Sequence, residues 1–386
     1  MTLAKARASR ITRTIATGAA IAAAALFAAP AAVAADAHHA PGSRAQQGGG
    51  STVFVQSDDT TANTVVAYAR AADGTLAQQG VYATGGKGGI LPGTVADHLA
   101  SQGSLAYDRH HHLLYAVNAG SDTVTVFAVR GTHLRRVQEI SSGGSFPVSV
   151  TFHGDRVYVA NTLGGGSVQG FVRTGDRLVK VPSWNRNLGL DKATSAIGQI
   201  SFTPDGSKLV VTTKASGQSI DVFPVGAHSG PSAHPVVTST PGAVPFGFAF
   251  DAAGRLRVTE AGTNSVGTFT VGRDGRLTAK GTVPTGQTAT CWAVTAGNHL
   301  YVSNAASGTL SGYRVGAQGE VTSLGNTATD AGTVDAAASS DGRYLYVQTG
   351  IKGLVDEFRV GANGSLTAIG SVEVPGGVGG EGIAAG

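Results

Sequence analysis

LYAVNAGSDTVTVFAV, residues 114–129, holds the pattern that decides the fold: an apolar strand ending in Asn118, a short Gly/Ser turn, then a second strand carrying an aromatic, Phe127. The same phrase returns as VYVANTLGGGSVQGFV (157–172) and LYVSNAASGTLSGYRV (300–315). Worked outward, it occurs seven times, and its aromatics are Tyr68, Phe127, Phe171, Phe223, Phe269, Tyr313 and Phe358. Their spacings are 59, 44, 52, 46, 44 and 45 residues. Short strands of alternating apolar and small polar residues, at a period in the mid-forties, predict an all-β, seven-bladed β-propeller over residues 52–386. Asp73-Gly74, Asp274-Gly275 and Asn363-Gly364 supply the positive-φ residues that tight hairpins need.

Each blade needs an innermost strand. Blades two to seven have one, at 103–108, 146–152, 198–203, 246–251, 290–295 and 334–339. The first blade has none at its start, whereas the tail Val378–Ala385 resembles one. The expectation is that the C-terminal strand completes blade one and closes the ring, removing an exposed edge. The 59-residue spacing comes from an insertion at 84–102, TGGKGGILPGTVADHLASQ. A connection this long is uncommon in a compact domain. Two readings stay open, a cap over the central channel or a Gly-rich surface excursion. A shorter insertion runs from Trp184 to Thr194.

The first 34 residues read as a signal peptide. Lys5, Arg7, Arg10 and Arg13 precede an Ala-rich apolar run and the small-x-small site Ala32-Val33-Ala34. Residues 35–51 read as a disordered linker, so His38 and His39 are not expected to bind metal. The net charge of +4 belongs to the leader, because beyond residue 34 the chain carries 24 basic and 24 acidic residues. A neutral chain has no footprint for nucleic acid, and no second apolar span predicts a membrane crossing. A secreted monomer, with no metal and no cofactor, is the expectation. Cys291 is the chain's one cysteine and reads as a buried small side chain. His110-His111-His112 reads as an exposed turn, since adjacent residues in a turn do not face one ion.

The repeats, with the hairpins Thr203-Pro204-Asp205-Gly206 and Ser340-Asp341-Gly342-Arg343, resemble YVTN-type repeats and the lactonase-like propellers that include 6-phosphogluconolactonase and carboxymuconate cyclase. The resemblance implies a channel-mouth site made by an Arg and a His of innermost strands and a Glu that ends a second strand. Glu260 stands at the Glu position, but the Arg position is Phe246, the His position is Gly247, and a further His position is Gly198. Lys214 is the nearest cation on the adjoining blade, so Glu260 and Lys214 form the candidate catalytic pair. Lactone hydrolysis needs an activated water and donors for the oxyanion.

Candidate ligand-binding residues follow from the strand ends: Gln56, Asn118, Asn161, Asn304 and Gln348 on second strands, and Phe146, Gln199, Phe246, Trp292 and Asp335 on inner strands, with Glu381. Such a ring suits a small cyclic or acidic metabolite. Strand-end Asn residues also bond their own turns. Two functions are carried forward: a lactonase-like protein that binds and hydrolyses such a metabolite, and a non-catalytic extracellular binding propeller. Whole-length resemblance speaks for the first, the missing Arg and His for the second.

Overall fold

The computed structural model describes residues 52–226 and 229–386. The leader and linker assignments, residues 1–34 and 35–51, lie outside the described residues. Seven antiparallel sheets follow in chain order. Blade 2, for example, comprises Leu105–Asp108, Leu113–Asn118, Thr123–Arg130 and His133–Ser141, each strand bonded to the next. Blade 1 is made of Thr52–Gln56, Thr64–Arg70 and Leu76–Ala83, and its fourth, innermost strand is Ile383–Ala385. Val53 pairs with Ala385 and Val55 with Ile383, so the tail closes the ring as the sequence predicts.

The repeat's aromatics are buried at the blade interfaces. Two tyrosines of the second strands reach the adjacent blade through their hydroxyls: Tyr346 donates to the Gly74 carbonyl at 2.8 Å and Tyr301 to that of Gly364 at 2.8 Å, whereas those of Tyr115 and Tyr158 are buried without a partner. At Tyr346 and Tyr301 a buried ring thus fills the core while its one polar atom is satisfied. Arg257 is fully buried on the second strand of blade 5. Its guanidinium bonds Asp251 at 2.7 Å, Thr268 at 2.5 Å and the Gly319 carbonyl of blade 6 at 3.1 Å. Burial works to raise the Asp251 carboxyl, and the bonds from Arg255 and Arg257 outweigh it, holding the group below its ordinary range.

The inner strands of blades 3 to 7 each slip register near the channel, at Pro147/Ser149, Ile197/Gln199, Pro245/Phe248, Thr290/Trp292 and Thr333/Ala336. Such bulges re-aim side chains. They fall at the strand ends where the candidate ring residues lie. Among the described residues no helix is long and apolar enough to cross a membrane.

Candidate functional site: a channel mouth filled by its own chain

The insertion after blade 1 enters the channel. Gly88 donates to Asp59 of blade 1, and Gly120 of blade 2 donates to Lys87. Ser101 donates to the Val148 carbonyl of blade 3 at 2.9 Å, and the Gln102 amide to Gly198 of blade 4 at 2.9 Å. On blade 6, Trp292 Nε1 donates to the Ser101 carbonyl at 2.6 Å. The Gln102 carboxamide pairs with both backbone groups of Ala293, at 2.7 and 3.0 Å. The segment also lies against blade 7, where a β-carbon on Gly350 would meet the Ala96 carbonyl at 1.7 Å. On blade 5, a β-carbon on Gly247 would meet Gln102 Oε1 at 2.1 Å and the Cys291 carbonyl at 2.7 Å. Of the two readings of this insertion, the channel cap is the one observed, and its own Leu99 is fully buried.

A buried charge cluster holds the segment in place. Asp97 accepts the amides of Leu99 and Ser101, both at 2.8 Å. Glu381 accepts the Gly103 amide at 2.7 Å, and Asp58 accepts the Glu381 amide at 2.8 Å. Lys214 donates to the Ala100 carbonyl and lies 4.3 Å from the centre of the Phe246 ring. Burial pushes the Asp58 carboxyl up to about 7. It raises Asp97, Asp335 and Glu381 as well, the last with further repulsion from the other three acids. Burial lowers Lys214, although Asp97 and Glu381 oppose the fall. Burial also raises the Cys291 thiol to about 12, which keeps it an un-ionised side chain.

The Glu260–Lys214 pair expected from sequence is not formed. Glu260 turns into its own blade and accepts the Ser265 hydroxyl at 2.7 Å, whereas Lys214 faces the inserted segment. The ring expected to face an open channel converges, but beneath the segment. Phe146, Phe246 and Trp292 are buried there. The amides act between blades: Gln348 donates to the Gln56 carbonyl at 3.0 Å, Gln56 to that of Val117 at 3.0 Å, and Gln199 accepts the Phe248 amide at 2.6 Å. Asn118 and Asn304 donate to hydroxyls on the next strand of their own blades, Thr125 at 3.0 Å and Ser311 at 2.9 Å, and Asn161 reaches the Ser142 carbonyl at 3.4 Å. Asp335 and Glu381, both named in the candidate ring, lie in the cluster. Asp58, Asp97 and Gln102 were not anticipated. The signal for Asp97 and Gln102 is an inserted segment that mixes apolar Ala96, Leu99 and Ala100 with Asp97, Ser101 and Gln102, too apolar for a solvated loop; Asp58, on blade 1, carries no such signal.

Among the described residues, no three His, Cys, Asp or Glu side chains stand close enough to hold a metal ion. The histidine turn is less passive than expected: His110 and His112 are exposed, but His111 bonds Asp108 at 2.7 Å and Arg173 of blade 3 at 2.8 Å.

The family described as lactonase, seven-bladed β-propeller, matches residues 61–176 and 257–379. No curated protein matches the sequence. Among solved structures, a Bacteroides fragilis protein described as a candidate 6-phosphogluconolactonase superposes with a TM-score of 0.69 at 18% identity, covering 88% of this chain and 99% of that one. The periplasmic gluconolactonase of Pseudomonas aeruginosa gives 0.66 at 17%, covering 86% and 98%. A Lactobacillus plantarum protein gives 0.68 at 18%, covering 86% and 98%. At these identities the likeness is one of fold.

Proposed function

We propose that this chain, which belongs to the lactonase family of seven-bladed β-propellers, is an exported binding propeller that recognises a small molecule without hydrolysing a lactone at its channel mouth. One observation carries the reading: the Gln102 carboxamide occupies the space beside Gly247, where the family resemblance puts an imidazole. A substrate at that place has to displace a segment bonded to several blades and covered by its own buried acids. The cation nearest the channel, Lys214, is already donated to a backbone carbonyl. Glu260, the position matched to the family's Glu, spends its carboxylate on Ser265. Neither supplies the base and donor pair that hydrolysis of a lactone requires. The basic, Ala-rich leader and its Ala32-Val33-Ala34 site support export.

The test is pH-stat titration of the purified protein against a panel of γ- and δ-lactones, with Glu260→Ala alongside. The expected result is acid release no faster than in buffer for both proteins. Turnover that disappears in Glu260→Ala overturns the reading and makes the protein a hydrolase. Export is tested by N-terminal sequencing of the protein recovered from medium. Ala35 is the expected first residue, and an intact Met1 retained in cells contradicts it.

A further inference from the structure

Beside the channel segment, where the first and last blades meet, a cleft of about 440 Å³ opens. Four stretches form it: the turn after Thr52–Gln56, the inserted segment, the turn at Lys352–Leu354 of blade 7, and the stretch from Glu373 to Val378. We propose that this cleft binds a small organic cation with an apolar body, such as an arylalkylamine.

The first support is its rim. Ile90 and Val378 line the cleft and are 51% and 61% exposed. Single exposed aliphatic residues need no explanation, but two on the lining of one cavity of ligand size do. They offer an apolar body a place to shed water, which their present exposure forgoes.

The second support is the charge inside. Asp59 spends Oδ1 on Thr61 and the Ala62 amide. Those bonds, the Thr61 hydroxyl first, hold its carboxyl below the ordinary range, so it is ionised. Its Oδ2 lies 3.5 Å from where a Gly376 β-carbon would be, on the cleft wall. Glu373 also lines the cleft and is exposed. Lys352 is the cleft's one ammonium. His98 brings no charge, since burial lowers it, and its Nδ1 is buried without a partner. Asp59 and Glu373 against one ammonium, with the lining Asp58 carboxyl raised by burial to about 7, leave the cleft negative, which selects a cation and repels an anion. The site needs no movement of residues 97–104, so it stands or falls separately from the lactone experiment.

The experiment is a ligand-observed NMR titration of the intact protein with three probes of like shape: 2-phenylethylamine, 3-phenylpropan-1-ol and 3-phenylpropionate. The amine is expected to bind best and the carboxylate least, with the preference shrinking as salt is added. Glu373→Gln should weaken the amine by about two- to fivefold, the usual range for an exposed ion pair. Val378→Ser should weaken amine and alcohol alike. Glu320→Gln, on exposed blade 6 surface, should change neither. Circular dichroism confirms that each variant is folded; should Glu373→Gln fail that check, Ile90→Ser replaces it. Equal binding of all three probes, a preference for the carboxylate, or amine binding indifferent to both Glu373→Gln and Ile90→Ser overturns the proposal.

Discussion

Glu381 accepts the backbone amide of Gly103 at 2.7 Å, tying the closing segment of the ring to the segment that fills its channel. The same glutamate donates its own amide to Asp58, at the end of blade 1's first strand. Ring closure and channel filling are thus one structural event. Removing residues 376–386 should therefore do more than expose an edge. The truncated chain is expected to lose a single cooperative thermal transition and to expose Trp292 to fluorescence quenchers. An unchanged melting temperature would separate the two features.

Gln102 satisfies both backbone groups of Ala293 from inside the channel. Gln102→Ala leaves a buried donor and acceptor without partners. The expected loss is about 1–3 kcal/mol, read as a lower urea midpoint at constant slope.

The channel acids make stability fall as pH rises. Their folded pKa values lie above the unfolded ones, so the folded state holds protons that the unfolded chain has released. Each such group favours the folded state fully below its unfolded value and loses that advantage on the way up to its folded value. For Asp58 the window runs from about 4 to about 7. Carboxyls held low, among them Asp205 at about 2, act in the opposite sense only below that window. Denaturation midpoints should thus decline between pH 4.5 and 7, and the decline should flatten in Asp58→Asn. A rise across that range would contradict the assignment.

Asp251→Ala strands the Arg257 guanidinium, which has no access to water. Removing one partner of a buried pair costs about 3–5 kcal/mol. Replacing both, as Asp251→Ala with Arg257→Leu, should recover part of that loss. A double-mutant cycle on chemical denaturation measures the difference.

The ring was legible from sequence because its evidence repeats: seven aromatics, recurrent strand ends, and a tail shaped like a missing strand. Each blade obeys local rules of alternation and turn chemistry, and these survive into the fold. The site was less legible. Asn118 and Gln348 look like ligand residues when only their convergence is known, and become structural once their partners are seen. Glu260 and Lys214 sit on adjacent blades, but strand register alone did not show that one turns inward to Ser265 and the other toward Ala100. The inserted segment has no repeat partner, so no periodicity disclosed its path. Its apolar and buried-acid content was the available clue, and Asp97 becomes intelligible only beside the Leu99 and Ser101 amides that it accepts.

Blades 2 to 7 are each cut from continuous chain, whereas blade 1 borrows its innermost strand from Ile383–Ala385, which follows all the other blades in sequence. During synthesis, therefore, the first blade waits beside the ribosome with an unpaired edge, and the channel segment waits for Gly379 and Glu381. The ring cannot lock before Ile383–Ala385 has been made. For a chain proposed to leave the cell, that delay keeps it threadable through a translocation pore until this strand has emerged, and puts the folding step on the far side.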